Sequence, residues 1–275
     1  MAKKTVYRFK NIYDHIKAAD YTQTTAQVFY DFVEMFAMEI AIGVGIEAEK
    51  RIETLKRTAS KYKEEELKHY QGFKTEIMNE FIKNNGEEII FQDVLGVLFH
   101  EMELQNHYKG QFFTPYEVSL AMSKLSLGIN GYLNNLENED FIQLGEPAAG
   151  AGGMVIASCQ IASELKINYS AKMIWTLQDL DLMCVYMSYI QLNLIGAAAV
   201  VHHMDTLAME HFDTFYTLAY VANNCYARLK AKKQIEKFKK AFDLVKSLDE
   251  AKSEEIEIAE SKKEEEKQEQ YVFDF

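Results

Sequence analysis

Proline and cysteine are scarce in this chain, and each scarcity narrows the fold. Two prolines in 275 residues leave little to interrupt helices, which argues against a turn-rich all-β fold. Three cysteines, Cys159, Cys184 and Cys225, are odd in number and sit among apolar residues. That pattern argues against a disulfide framework and for reduced core thiols in a cytoplasmic protein. No Cys-x-x-Cys pair or His-rich spacing is present, so no metal site is expected, and His202-His203 reads as a solvated pair. No apolar run reaches the roughly 18 residues that a membrane span needs. The opening Met-Ala-Lys-Lys-Thr-Val-Tyr-Arg has the charge of a signal peptide with no apolar stretch behind it. Neither a membrane partner nor export is therefore expected.

Positive charge is also short. The net charge is −12, which taken alone disfavours a polyanionic partner. Its distribution changes that reading. Residues 247–275 carry −7, leaving −5 for residues 1–246, and residues 228–246 hold eight basic and two acidic side chains. What is abundant is core material: 48% of the chain is hydrophobic and 12% aromatic, enough for one large domain or two small ones.

Helical periodicity dominates the first hundred residues. Thr24-Thr25 supplies an N-cap for a helix to about Ile42, with Phe29, Phe32, Phe36 and Ile40 on one face. A second helix carries Ile46, Ile52 and Leu55 among charges. A third, from Glu64, aligns Leu67, Tyr70, Phe73, Ile77 and Phe81 and ends at Asn84-Asn85-Gly86, and a fourth spans Phe91 to Leu104. Residues 1–108 thus read as an all-helical domain. From Gly110 the texture changes. Gly110-Gln111-Phe112-Phe113-Thr114-Pro115 is an aromatic turn leading into a helix to about Leu127, with Pro115 suited to its first position and Thr114 to its cap.

The centre of the chain is Phe141 to Gly153, FIQLGEPAAGAGG: a short buried strand, a glycine turn, then a helix from Met154. Gly150, Gly152 and Gly153 let a ligand approach the backbone and leave N–H groups free at the helix start. A second strand, Met173–Asp179, ends in an acid 29 residues beyond Gly150, where a doubly wound fold places a carboxylate on ribose hydroxyls. A third strand, Ala198–Val201, is followed by Asp205, an acceptor for an adenine amine. A fourth is expected over Phe215–Val221, followed by Asn223 and Tyr226.

Together these segments resemble the N6-adenine DNA methyltransferases, the modification subunit of type I restriction–modification systems in particular. The likeness covers about residues 90–226. Gly110–Pro115 is similar to that family's GQFFTP segment, and Glu146–Gly153 to its Asp-Pro-Ala-x-Gly-x-Gly-Gly loop, with Glu146 for Asp. Gln178-Asp179 fits its Gln-Glu position, and Asp205-Thr206-Leu207 its Gly-Asp-Thr-Leu segment, with Met204 for glycine. The resemblance implies an α/β, Rossmann-like sheet of seven strands, but no strand pattern follows Tyr226, so a sheet truncated at about four strands is expected. It implies an S-adenosylmethionine site at Phe113, Thr114, Glu146, Ala148, Gly150, Gly152, Asp179 and Asp205. Residues 1–108, 109–226 and 227–275 would be the helical domain, the cofactor domain and a basic helix with an acidic tail.

The family's catalytic Asn-Pro-Pro-aromatic element lets an Asn carbonyl and a proline carbonyl accept the protons of adenine's poorly nucleophilic amine, while the ring stacks on the flipped base. Here Ala222-Asn223-Asn224-Cys225-Tyr226 keeps the Asn and the aromatic and loses both prolines. Two functions follow from the resemblance. One is an adenine methyltransferase using Asn223 and Tyr226 on DNA, with a protein partner or second copy covering the sheet edge or supplying recognition. The other is an inactive cofactor-binding homologue serving as regulator, decoy or anti-restriction factor. A purely structural interaction module is disfavoured by the retained cofactor segments.

Overall fold

The computed structural model describes residues 7–83, 88–104, 113–129, 136 and 139–243. The chain divides into two compact units between Cys225 and Tyr226. In the first, helices α1 (Lys10–Ala18), α2 (Thr25–Val44), α3 (Ala48–Ala59) and α4 (Glu64–Phe81) form one layer. Thr24 caps α2 by accepting from the Gln27 N–H at 3.2 Å, and Gly45, at φ 85°, closes its other end. Phe29, Phe32 and Phe36 of α2 and Phe73, Ile77 and Phe81 of α4 are buried, as their spacing predicts. α4 stops at Phe81, ahead of the Asn-Asn-Gly signal. A two-stranded hairpin, β1 (Ile82–Lys83) with β2 (Glu88–Ile89), takes its place, and its turn lies outside the described residues.

α5 (Val94–Glu101) is shorter than expected because Asp93 caps it. α6 (Tyr116–Ser123) continues as a π-helical segment, Lys124–Ile129. Pro115 occupies the N-cap position of α6 rather than its first turn, and no side chain caps the helix there, so Thr114 does not fill the capping role.

The sheet has four strands in the order β3 (Ile142–Glu146), β4 (Met173–Asp179), β5 (Ala198–Asp205), β6 (Glu210–Tyr216). The first three are parallel and joined through α7 (Gly153–Glu164), the short α8 (Tyr169–Lys172) and α9 (Leu182–Leu194). Parallel neighbours need such crossovers. Trp175, Leu177, Ala199, Val201 and Phe215 point into the core shared with α7, α9 and α2. Of their alternates, Ile174, Ala198 and Val200 are also buried, while Thr176, Gln178, His202 and Thr214 are half-buried, so the second face is less covered toward the site end of the strands.

β6 departs from expectation. The strand lies at Glu210–Tyr216 rather than Phe215–Val221, and it runs antiparallel to β5. The short Asp205-to-Glu210 connection allows only a hairpin return. Residues Leu218–Ala222 are helix α10. β5 is also longer than expected and takes in His202 and His203. These are not a solvated pair: the His202 ring bonds the Thr214 hydroxyl at 2.9 Å and the His203 ring the Leu180 carbonyl at 3.1 Å.

The helical layer and the sheet share one core. Arg51 of α3 is 3% exposed and forms a two-pronged pair with Asp213 of β6 at 2.6 and 2.9 Å, donating also to the Thr214 carbonyl at 2.9 Å. Its guanidinium lies 4.0 Å from the Phe215 ring centre. Ile52 of α3 is exposed, as is Ile46 ahead of it, so this buried cation rather than those side chains joins α3 to the sheet. All three cysteines are buried and none forms a disulfide. No helix among the described residues is long and apolar enough to cross a membrane, and no group of three His, Cys, Asp or Glu there could hold a metal.

The second unit is described over residues 226–243, which are helical. Tyr226, Ile235, Phe238 and Phe242 are exposed on it. The acidic segment lies outside the described residues.

Candidate functional site

The site forms where β3, β4 and β5 end. Each parallel strand delivers its last residues to the same edge: Glu146 pairs with Leu177 and Asp179 with His203. Beyond Glu146 the chain turns through Pro147 and the alanine–glycine loop into α7. The Ala149 N–H donates to the Gln178 carbonyl at 3.0 Å, and the Gly150 N–H to Asp179 Oδ2 at 2.8 Å. Asp179 Oδ1 takes the Asp181 N–H at 2.9 Å, so this acid braces both the glycine loop and the start of α9. Burial pushes its carboxyl above the usual range, with the two N–H donors pulling the other way.

The two glycines at the turn serve different purposes. Gly150, at φ 52°, lies under the Phe113 ring, and a Cβ there would stand 3.2 Å from Phe113 Cδ1. Phe113 is itself stacked on Phe99 at 5.3 Å. Gly152, at φ 90°, faces α9, where a Cβ would meet Ser188 Cβ at 3.2 Å. It is needed for packing the loop on α9 and does not line the cavity.

That cavity, about 300 Å³, is walled by Asp93, Phe113, Thr114, Ser119, Glu146 and loop residues that include Ala148 and Gly150. Glu146 is half-buried. Burial raises its carboxyl, the Ala148 N–H at 3.2 Å lowers it, and the nearby Asp179 charge raises it further. Asp179 and Asp205 stand outside the cavity wall. Asp205 Oδ1 accepts from the Leu207 and Ala208 N–H groups, both at 2.9 Å, shaping its own turn. The Thr206 hydroxyl donates to the Pro147 carbonyl at 3.1 Å, tying the end of β5 to the glycine loop.

Two residues that carried no sequence-level assignment organise this region. Gln191, fully buried in α9, accepts from the Val94 and Leu95 N–H groups at 2.8 and 3.0 Å. It donates to Asp93 Oδ1 at 2.9 Å and to the Ala151 carbonyl at 2.7 Å. It thereby joins the start of α5 to the glycine loop. Asp93 was legible as a cap before an apolar run. Gln191 had no signal, because only the tertiary fold brings those four partners to it.

The sequence of the chain over residues 87–257, more than half of it, matches the family described as N-6 DNA Methylase. The chain belongs to that family. The family is one of S-adenosylmethionine-dependent methyltransferases. No curated protein matches the chain by sequence. Among solved structures, one similar to it is a class I S-adenosylmethionine-dependent methyltransferase from Listeria monocytogenes: 11% identity, 72% of this chain and 54% of that one, TM-score 0.42. Another is a type I restriction-modification system methyltransferase subunit from Streptococcus thermophilus: 11% identity, 73% and 59% coverage, TM-score 0.37. This chain spans little more than half the length of either.

The N-6 DNA methylase cofactor is a sulfonium cation with an adenosine end and a zwitterionic amino-acid end. The residues here fit it chemically. The cavity wall is acidic at Asp93 and Glu146, aromatic at Phe113, and free of side-chain bulk at Gly150. When bound, the cofactor supplies an electrophilic methyl group.

The acceptor side is different. Asn223 follows α10, and its Nδ2 donates to the Ser170 carbonyl at 2.8 Å and to the Ala219 carbonyl at 2.9 Å. Ser170 lies in α8, just ahead of β4. Because β6 runs antiparallel, its Tyr216 end pairs with Val200 near the start of β5. The chain that follows it therefore sits at the opposite end of the sheet from Glu146 and Asp179. The structure thus places Asn223 away from the cavity, and Tyr226 belongs to the second unit.

Proposed function

We propose that this chain binds S-adenosylmethionine as the cofactor-holding part of an adenine-N6 DNA methyltransferase. On this reading the amino-acid end occupies the cavity beside Phe113, Thr114, Glu146, Ala148 and Gly150. The adenosine extends over the ends of β4 and β5, toward Asp179 and Asp205. Gly152 and Asp179 then act on the cofactor through the shape of the loop. The acceptor side comes from residues other than Asn223, carried on a partner or second copy that adds to the edge of β3, which no strand among the described residues pairs and where Gln143 and Gly145 are exposed. DNA is a substrate of that assembly rather than of this chain alone.

One observation carries the reading. The Phe113-Thr114 segment and the glycine loop line one cavity at the ends of the parallel strands, while Asn223 is tied to Ser170 at the other end of the sheet. Titration calorimetry with S-adenosylmethionine is expected to show one site. Incubation of the chain alone with labelled cofactor and unmethylated duplex DNA is expected to leave adenine unlabelled. Label on adenine that Asn223→Ala removes without unfolding the protein would overturn the reading. The same observation favours a second reading, an inactive homologue acting as regulator, decoy or anti-restriction factor. Under it, no co-purified partner restores transfer.

A further inference from the structure

Asp93 does more than its capping duty requires. A helix cap needs one acceptor oxygen, and Oδ1 provides it, taking the Gly96 N–H at 2.9 Å and the Gln191 amide at 2.9 Å. Oδ2 lies against Gly96, where a Cβ would stand 2.2 Å from it, and its other side faces Gly153, where a Cβ would stand 3.4 Å from Oδ2 and 3.9 Å from Ser119 Oγ. Asp93 is only 7% exposed. Among the described residues no lysine, arginine or histidine pairs with it. A carboxylate so enclosed is costly unless a cation meets it, and burial does push its carboxyl above the ordinary range. Ser119 Oγ, on a residue 1% exposed, has no hydrogen-bond partner. A neutral Asn or Ser would cap α5 as well. The charge, the idle hydroxyl and the missing side chain at Gly153 all meet at one corner, and that corner opens into the cavity.

We propose that Asp93 Oδ2 and Ser119 Oγ form a subsite for the α-ammonium group of the cofactor's amino-acid end. This rests on the cofactor reading above. An ammonium group supplies the compact positive charge that Oδ2 lacks, and it has N–H donors enough for both oxygens. Gly153 is small because any side chain there would occupy the ammonium's place. Asp93 is thus a specificity residue: it selects ligands with a free α-amine over those that carry adenosine alone.

The test uses the full chain and two ligands. One is S-adenosylhomocysteine. The other is its deaminated analogue, with hydrogen in place of the α-amine. Wild type is expected to bind the first at least about tenfold more tightly, in line with a charge-assisted bond. Asp93→Asn keeps the cap and the Gln191 bond and removes only the charge. It is expected to lose that advantage, weakening S-adenosylhomocysteine about tenfold and leaving the analogue unchanged. Ser119→Ala, which leaves α5 untouched, is expected to weaken the first ligand about threefold and spare the second. Equal wild-type affinity for the two ligands overturns the subsite and leaves the cofactor reading standing. Parallel losses for both ligands in both variants overturn it too, since they report a structural role. Failure of wild type to bind either ligand overturns the cofactor reading and the subsite together.

Discussion

Exchange of the two turn glycines for alanine separates the ligand face of the loop from its packing face. In Gly152→Ala the new methyl would stand 3.2 Å from Ser188 Cβ and 3.4 Å from Ser188 Cα, on a backbone at φ 90°. That φ lies beyond the left-handed well near 57° that other residues tolerate. The strain costs about 1–2 kcal/mol. Overpacking against helix backbone, which cannot rotate aside, adds about 1–3 kcal/mol. We expect a total loss of about 2–5 kcal/mol, read as a lower urea midpoint at constant m.

Gly150→Ala is the converse case. Its φ of 52° suits the left-handed well, and the atom it meets, Phe113 Cδ1 at 3.2 Å, is the edge of a movable ring. Stability should fall by only about 1 kcal/mol. The methyl and the displaced ring enter the cavity, however, so S-adenosylmethionine affinity should drop about tenfold or more by calorimetry. Gly152→Ala, once folded, should bind nearly as well as wild type. A Gly150→Ala protein less stable than Gly152→Ala, or one that binds the cofactor normally, would refute the division of roles.

Replacing Arg51 with Met breaks the pair with Asp213 and leaves a buried carboxylate. Such losses run about 3–5 kcal/mol, and we expect the lower figure because Lys50 remains 3.1 Å from Asp213. The pair also sets an acid limit. Arg51 and Lys50 hold the Asp213 carboxyl down at about 2 despite partial burial. A depressed carboxyl stabilises above its unfolded value, near 3.9, and that contribution fades as pH falls toward 2. The stability gap between wild type and Arg51→Met should therefore narrow below about pH 4. A gap that stays constant there contradicts the assignment. Asn223→Ala removes the bonds to Ser170 and Ala219 and should cost about 1 kcal/mol while leaving cofactor affinity unchanged. A normal denaturation midpoint with lost cofactor binding would contradict its placement.

Composition, spacing and motif order already determined much of this protein. The helical faces of α2 and α4, the three parallel strands and the glycine loop are set by local periodicity and turn chemistry, which a one-dimensional pattern records directly. Both prolines lie in the two cofactor segments, at Pro115 and Pro147. Strand β6 was illegible because its residues fit either direction of pairing, and only the short return from β5 decides for antiparallel. That choice carried Asn223 to the far end of the sheet. Arg51 with Asp213, and Gln191 with Asp93, were equally hidden. Each joins residues distant in sequence, and a polar side chain shows no periodicity that announces a buried partner. Sequence therefore settled the main helices, the three parallel strands and the loop, and left β6, α10 and the β1–β2 hairpin to the fold. Tertiary packing alone decided which charges are enclosed, Arg51 and Asp93 among them, because enclosure depends on which distant segments meet.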